Sequence, residues 1–83
     1  MWGEAQRAVA VGLYPNPANT TVHLPTVPVG SRVQLLDAVG RIIRNTVVTA
    51  GATISLQGVT LGLYAVRATD TQGRQYTARL IVE

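Results

Sequence analysis

Toward the end of the chain, Q-Y-T-A-R-L-I-V from Gln75 alternates so that Ala78, Leu80 and Val82 share one face of an extended strand, with Arg79 and Ile81 on the other. L-Y-A-V-R-A-T from Leu63 repeats the pattern, with Tyr64, Val66 and Ala68 on one face and Arg67 and Thr69 opposite. A period of two over β-branched and aromatic residues, bounded by Gly, Pro, Asn and Asp, predicts strands. The same criterion marks residues 8–13, 21–24, 31–37, 41–49 and 53–56. Residues 25–31 read as a loop, because Pro25, Pro28 and Gly30 leave no continuous ladder. Positions 42 to 44 do not sort into faces.

Short strands at roughly 8 to 12 residue spacing, without a helical period, predict an all-β fold: a seven-stranded immunoglobulin-like antiparallel β-sandwich. A chain of 83 residues holds one hydrophobic core. The folded unit is expected over residues 8–83. Residues 1–7 show no period and read as a linker remnant or an artificial start.

Two kinds of punctuation stand out. L-Y-P-N-P-A-N-T-T-V-H-L from Leu13 sets Asn16 between Pro15 and Pro17. Proline has no ladder donor, so this segment belongs at an edge, a bend or a strand end. Each proline also drives its predecessor toward an extended shape, which makes the segment a stiff connector. D-A-V-G-R from Asp37 and D-T-Q-G-R from Asp70 each lie between two strand candidates. Aspartate accepts a bond from the backbone two residues on, and glycine supplies the left-handed conformation of a type I turn with a G1 bulge. Both read as hairpin turns. Their flanks do not match, so no tandem repeat is present.

Composition then narrows the function. Cysteine is absent, which in so small a domain points away from a disulfide-stapled secreted eukaryotic module and toward a bacterial or cytosolic origin. The formal charge is +3 and every basic residue is arginine. The arginines are spread from Arg7 to Arg79 with few rings between them, unlike a nucleic-acid stripe, and no nucleic-acid partner is expected. No apolar run approaches the ~20 residues that span a bilayer. Lysine and cysteine are lacking and His23 is the sole histidine, so no nucleophile has an evident activating partner. An enzyme, a catalytic residue, a metal and a cofactor are therefore not expected. One carboxylate per turn also falls short of a calcium site. Asn19-Thr20-Thr21 matches a glycosylation acceptor, but the threonines are explained as strand formers.

L-Y-P-N-P-A-N near the start, V-x-L-x-D-x-x-G-R in the middle, and L-G-L-Y-A-V and T-A-R-L-I-V at the end together resemble the C-terminal sorting domain of type IX secretion cargo. The resemblance runs from about Leu13 to Val82. It implies a domain at the C-terminus of a larger protein, secreted or displayed at the cell surface after passing through the periplasm. The implied partners are an N-terminal cargo domain in the parent chain, an outer-membrane translocon with its shuttle proteins, and a sortase-like cysteine peptidase that removes the domain and attaches the cargo to the surface.

On this sequence the family's motifs fall on Pro15, Asn16 and Pro17, on Gly62 and Tyr64, and on Arg79, Leu80, Ile81 and Val82. The resemblance makes these the candidate recognition residues. Arg79 replaces the commoner lysine, and Glu83 stands where members often end in a basic residue. A terminal strand at a sheet edge would offer unpaired donors and acceptors to a receptor. The alternatives are a fibronectin-like or immunoglobulin-like spacer and a carbohydrate-binding module, the latter short of exposed rings.

Overall fold

The computed structural model describes residues 8–49 and 51–83. The linker reading of residues 1–7 lies outside them. Seven strands follow in order: β1 Val9–Ala10, β2 Thr21–His23, β3 Arg32–Leu36, β4 Ile42–Val47, β5 Thr53–Ser55, β6 Gly62–Thr69 and β7 Gln75–Val82. Every strand candidate is found, and no helix occurs among the described residues. The first strand is shorter than expected. Its ladder with β7 continues only to the Val11 amide, which donates to the Thr77 carbonyl at 2.9 Å, after which Gly12 and the proline segment follow.

A five-stranded sheet has the order β1-β7-β6-β3-β4, and β2 and β5 form a separate pair. The sheet is mixed, which corrects the expectation of antiparallel pairing throughout. β1 runs parallel to β7, Val9 opposite Tyr76 and Ala10 opposite Thr77. Parallel neighbours need a long crossover between them. Here almost the whole domain serves as that connection.

Burial follows the alternation. Tyr64, Val66 and Ala68 of β6 and Tyr76, Leu80 and Val82 of β7 face inward, meeting Val33 and Leu35 of β3. Val22 and Ile54 of the small sheet close the core, joined by Leu24, Val27, Val48 and Leu56 from flanking loops. Removing this apolar surface from water is the main stabilising term, about 25 cal/mol per Å².

The unsorted stretch at 42 to 44 has a local cause. Leu35 pairs with Arg44 and Leu36 with Ile42, so Ile43 is an extra residue in a bulge. The insertion reverses the facing of the strand within three positions. Arg44 consequently turns toward the small sheet, where its guanidinium donates to the Ser55 carbonyl at 3.3 Å.

Both D-x-x-G-R turns are hairpin turns with one bonding scheme. In the first, the Gly40 amide donates to the Asp37 carbonyl and the Asp37 amide to the Arg41 carbonyl. Asp37 Oδ1 accepts from the amides of Val39 and Arg41. Asp70 repeats all four bonds with Gly73, Arg74 and Gln72. Gly40 and Gly73 sit at φ 89° and 88°, where a side chain would be strained.

Candidate functional site

The proline segment lies along the outer edge of β7. Asn16 Nδ2 donates to the Arg79 carbonyl at 3.1 Å, and the Ile81 amide donates to Asn16 Oδ1 at 3.0 Å. One side-chain amide thus supplies both halves of a ladder contact. Beyond it the Ala18 amide donates to the Ile81 carbonyl, and the Glu83 amide to the Ala18 carbonyl, each at 2.8 Å.

β7 is therefore not a free edge, contrary to the expectation for a terminal strand. β1 occupies the first half of its outer side, and Asn16 with Ala18 occupies the second. Pairing these polar groups within the domain satisfies backbone that would otherwise invite other chains. The edges at the far side of the sheet belong to β4.

Gly62 and Tyr64 form one structural unit. The Tyr64 ring folds back over Gly62, so that a Cβ added there would sit 3.6 Å from Cε1. Its hydroxyl donates to the Thr60 carbonyl at 2.7 Å. Gly62 itself has φ 154°, a conformation that favours glycine.

The candidate recognition residues divide by exposure. Tyr64, Leu80 and Val82 are buried in the core. Pro15, Asn16, Pro17, Gly62, Arg79 and Ile81 are exposed, and Asn16 brings the proline segment against Arg79 and Ile81. Two exposed arginines outside that set, Arg67 of β6 and Arg32 of β3, stand on the same outer face as Arg79. Alternation alone marked Arg67 as outward-facing, but strand register was needed to bring the three together.

His23 has two neighbours that the sequence did not reveal. Its ring stacks on Tyr14 with centroids 5.0 Å apart. Its Nδ1 lies 3.0 Å from Thr53 Oγ1, which also reaches the Gly51 carbonyl at 3.0 Å. The Gly51 carbonyl competes with the imidazole for the single hydroxyl proton, and no carboxylate among the described residues orients the ring. The described residues contain no group of three or more His, Asp or Glu side chains fit to hold a metal.

The titrating side chains with shifted values serve the turns. Arg41's amide, opposed by partial burial and aided by its guanidinium at 3.0 Å, holds the Asp37 carboxyl below its ordinary 3.8. Burial pushes Asp70 upward, but the amides of Arg74 and Gln72 and the Tyr76 hydroxyl outweigh it, and Asp70 also stays low. Burial, and then the bond to Asp70, raise the Tyr76 phenol above 10.0.

The fold and this edge define a class: a small all-β domain whose distinctive residues fasten its first segment to its last strand. The chain belongs to the secretion system C-terminal sorting domain family, whose model matches residues 12–83. This is the sorting domain of type IX secretion cargo, and the parent protein is accordingly exported and secreted or held at the cell surface. Among solved structures the chain is similar to PorZ, an essential bacterial surface component of the type-IX secretion system of Porphyromonas gingivalis. The TM-score is 0.68 at 24% identity, covering 88% of this chain and 11% of that one. At that identity the likeness is one of fold, and this chain corresponds to a small part of PorZ. No curated protein matches the sequence.

Proposed function

We propose that residues 8–83 form an immunoglobulin-like sandwich that acts as a non-catalytic address label, read by the type IX outer-membrane translocon and its shuttle proteins. The observation that carries this reading is the family match across 12–83. The domain sits behind a cargo domain of the parent chain. A sortase-like cysteine peptidase cuts near or before Ala8 and attaches the cargo to the surface.

Within the label, Pro15, Asn16, Pro17, Arg79 and Ile81 present a rigid surface to the reader. Gly62, Tyr64, Leu80 and Val82 hold that surface in shape. A rigid landmark loses little conformational entropy on docking, which favours recognition of a folded shape over a flexible tail. The closed outer side of β7 argues for reading by side chains and against an added strand there.

Fusion of the chain behind a signal peptide and a fluorescent reporter, in a bacterium with the type IX machinery, tests the reading. Reporter in the medium or on the surface is expected. Reporter confined to the periplasm, alongside an exported native cargo domain as positive control, would refute it.

A further inference from the structure

The five-stranded sheet has one face in the core and one toward solvent, and its solvent face has an ordered pattern. Register places Ile81 opposite Leu63 on one rung, and Arg79, Ala65, Leu36 and Ile42 across the next. Thr77, Arg67, Gln34 and Asn45 form the third rung, and Gln75, Thr69, Arg32 and Val47 the fourth. Arg79, Arg67 and Arg32 thus lie on a diagonal across β7, β6 and β3. All three are exposed, and among the described residues none has a carboxylate partner.

Diagonal neighbours in an antiparallel sheet are about 7–8 Å apart. Side chains on one face of an extended segment repeat every ~6.7 Å, close to that spacing. Acidic residues at alternate positions of such a segment can therefore meet successive guanidiniums in bidentate pairs.

The two flanks of the diagonal differ. On one side lie Ile81, Leu63 and Ile42, exposed at 43%, 59% and 51%, with Ala65 beside the buried Leu36, and then the polar Gln34 and Asn45 and the exposed Val47 toward the Arg32 end. On the other lie Thr77, Thr69 and Gln75. No strand position on this face carries an acid. Asp70, just beyond Thr69, shares a cleft with Arg32, but its carboxylate is engaged by its own turn and Tyr76. A bare polyanion would use the cations and leave the apolar flank wet. A protein segment that carries acids and then an apolar residue on the one face turned to the sheet would use both, the acids over the arginines and the apolar residue over Ile81 and Leu63.

From this charge and apolar pattern we infer that the outer face of the sheet docks an extended, acidic and apolar segment of a partner protein, lying along the Arg79–Arg67–Arg32 diagonal. That the partner belongs to the export machinery rests on the function proposed above; the chemistry of the face does not.

The test is an NMR titration of the full chain with an acetylated octapeptide that has Val, Glu, Glu and Glu at positions one, three, five and seven and Thr between them, so that one face carries both the acids and the apolar residue. Its Lys-for-Glu counterpart and dextran sulfate serve as comparison probes. Amide shifts confined to the outer-face residues of β3, β6 and β7 are expected with the acidic peptide. R67E/R79E should weaken binding by roughly tenfold or more, and Q57E, in the loop after β5 of the other sheet, should leave it unchanged. No shift with the acidic peptide, an equal response to the lysine peptide, or stronger binding of dextran sulfate at the same face overturns the inference.

In the reporter assay, export of the wild-type fusion with loss in R67E/R79E, folded by circular dichroism, ties the face to the machinery. Export undiminished by that variant removes the machinery as partner. Failure of the wild-type fusion itself counts against the sorting function, while the peptide map still decides the face.

Discussion

Asn16 stands beside Ile81 as a strand residue would, accepting its amide proton at 3.0 Å while donating to the Arg79 carbonyl at 3.1 Å. A side chain sixty-five positions away in sequence thereby closes the last ladder of the sheet. Asn16→Ala removes both bonds, each worth about 1 kcal/mol. The expected result is a loss of about 1–2 kcal/mol in urea unfolding. Faster hydrogen exchange at the Ile81 amide should accompany it. Asn16→Asp keeps the acceptor for Ile81 but turns a carboxylate oxygen on the Arg79 carbonyl, so it should not restore stability. An unaltered Ile81 exchange rate in Asn16→Ala would show that the contact contributes nothing.

Tyr64 links the start of β6 to its own approach through the 2.7 Å bond to Thr60. Tyr64→Phe keeps the packed ring and leaves the carbonyl without this donor, at a cost of about 1 kcal/mol. Gly62→Ala should also destabilise, because φ 154° disfavours a side chain although space for a Cβ exists. The check is the thermal midpoint of each variant, with the fold confirmed by circular dichroism.

Stability should fall at both ends of the pH scale. Asp37 and Asp70 are held below 3.8 in the folded chain, so they favour folding above that value. Their contribution is lost as pH drops from about 3.8 through the lower folded-state values. Tyr76 is raised above 10.0, so its contribution is present below that pH and is lost as pH climbs past it. Asp37→Asn with Asp70→Asn should flatten the acid limb of a urea midpoint profile, and Tyr76→Phe the alkaline limb. An acid limb unchanged in the double variant would mean that other groups govern it.

Leu80 is fully buried between the two sheets. Leu80→Ala should cost about 2–5 kcal/mol, from lost transfer energy and the cavity left behind. Total stability for so small a domain lies near the low end of about 5–15 kcal/mol. The variant is expected to melt well below the wild type, whereas Ile81→Thr on the opposite face should melt close to it. Comparable melting curves for the two would contradict the assignment of faces.

The strands, the two aspartate turns, the inward faces of β6 and β7 and the family were legible in the sequence, because each depends on residues adjacent or alternate along the chain. Alternation fixes a face only where the ladder is regular, which is why the bulge at Ile43 left its neighbourhood unsorted. Three features rest on contacts between segments distant in sequence: the parallel docking of β1 on β7, the Asn16 amide closing the same edge, and the arginine diagonal. Local periodicity says which way a side chain points, but not which strand stands beside it. Only register, set by packing the whole core, decides that neighbour, and with it turned an expected open terminal strand into a covered one.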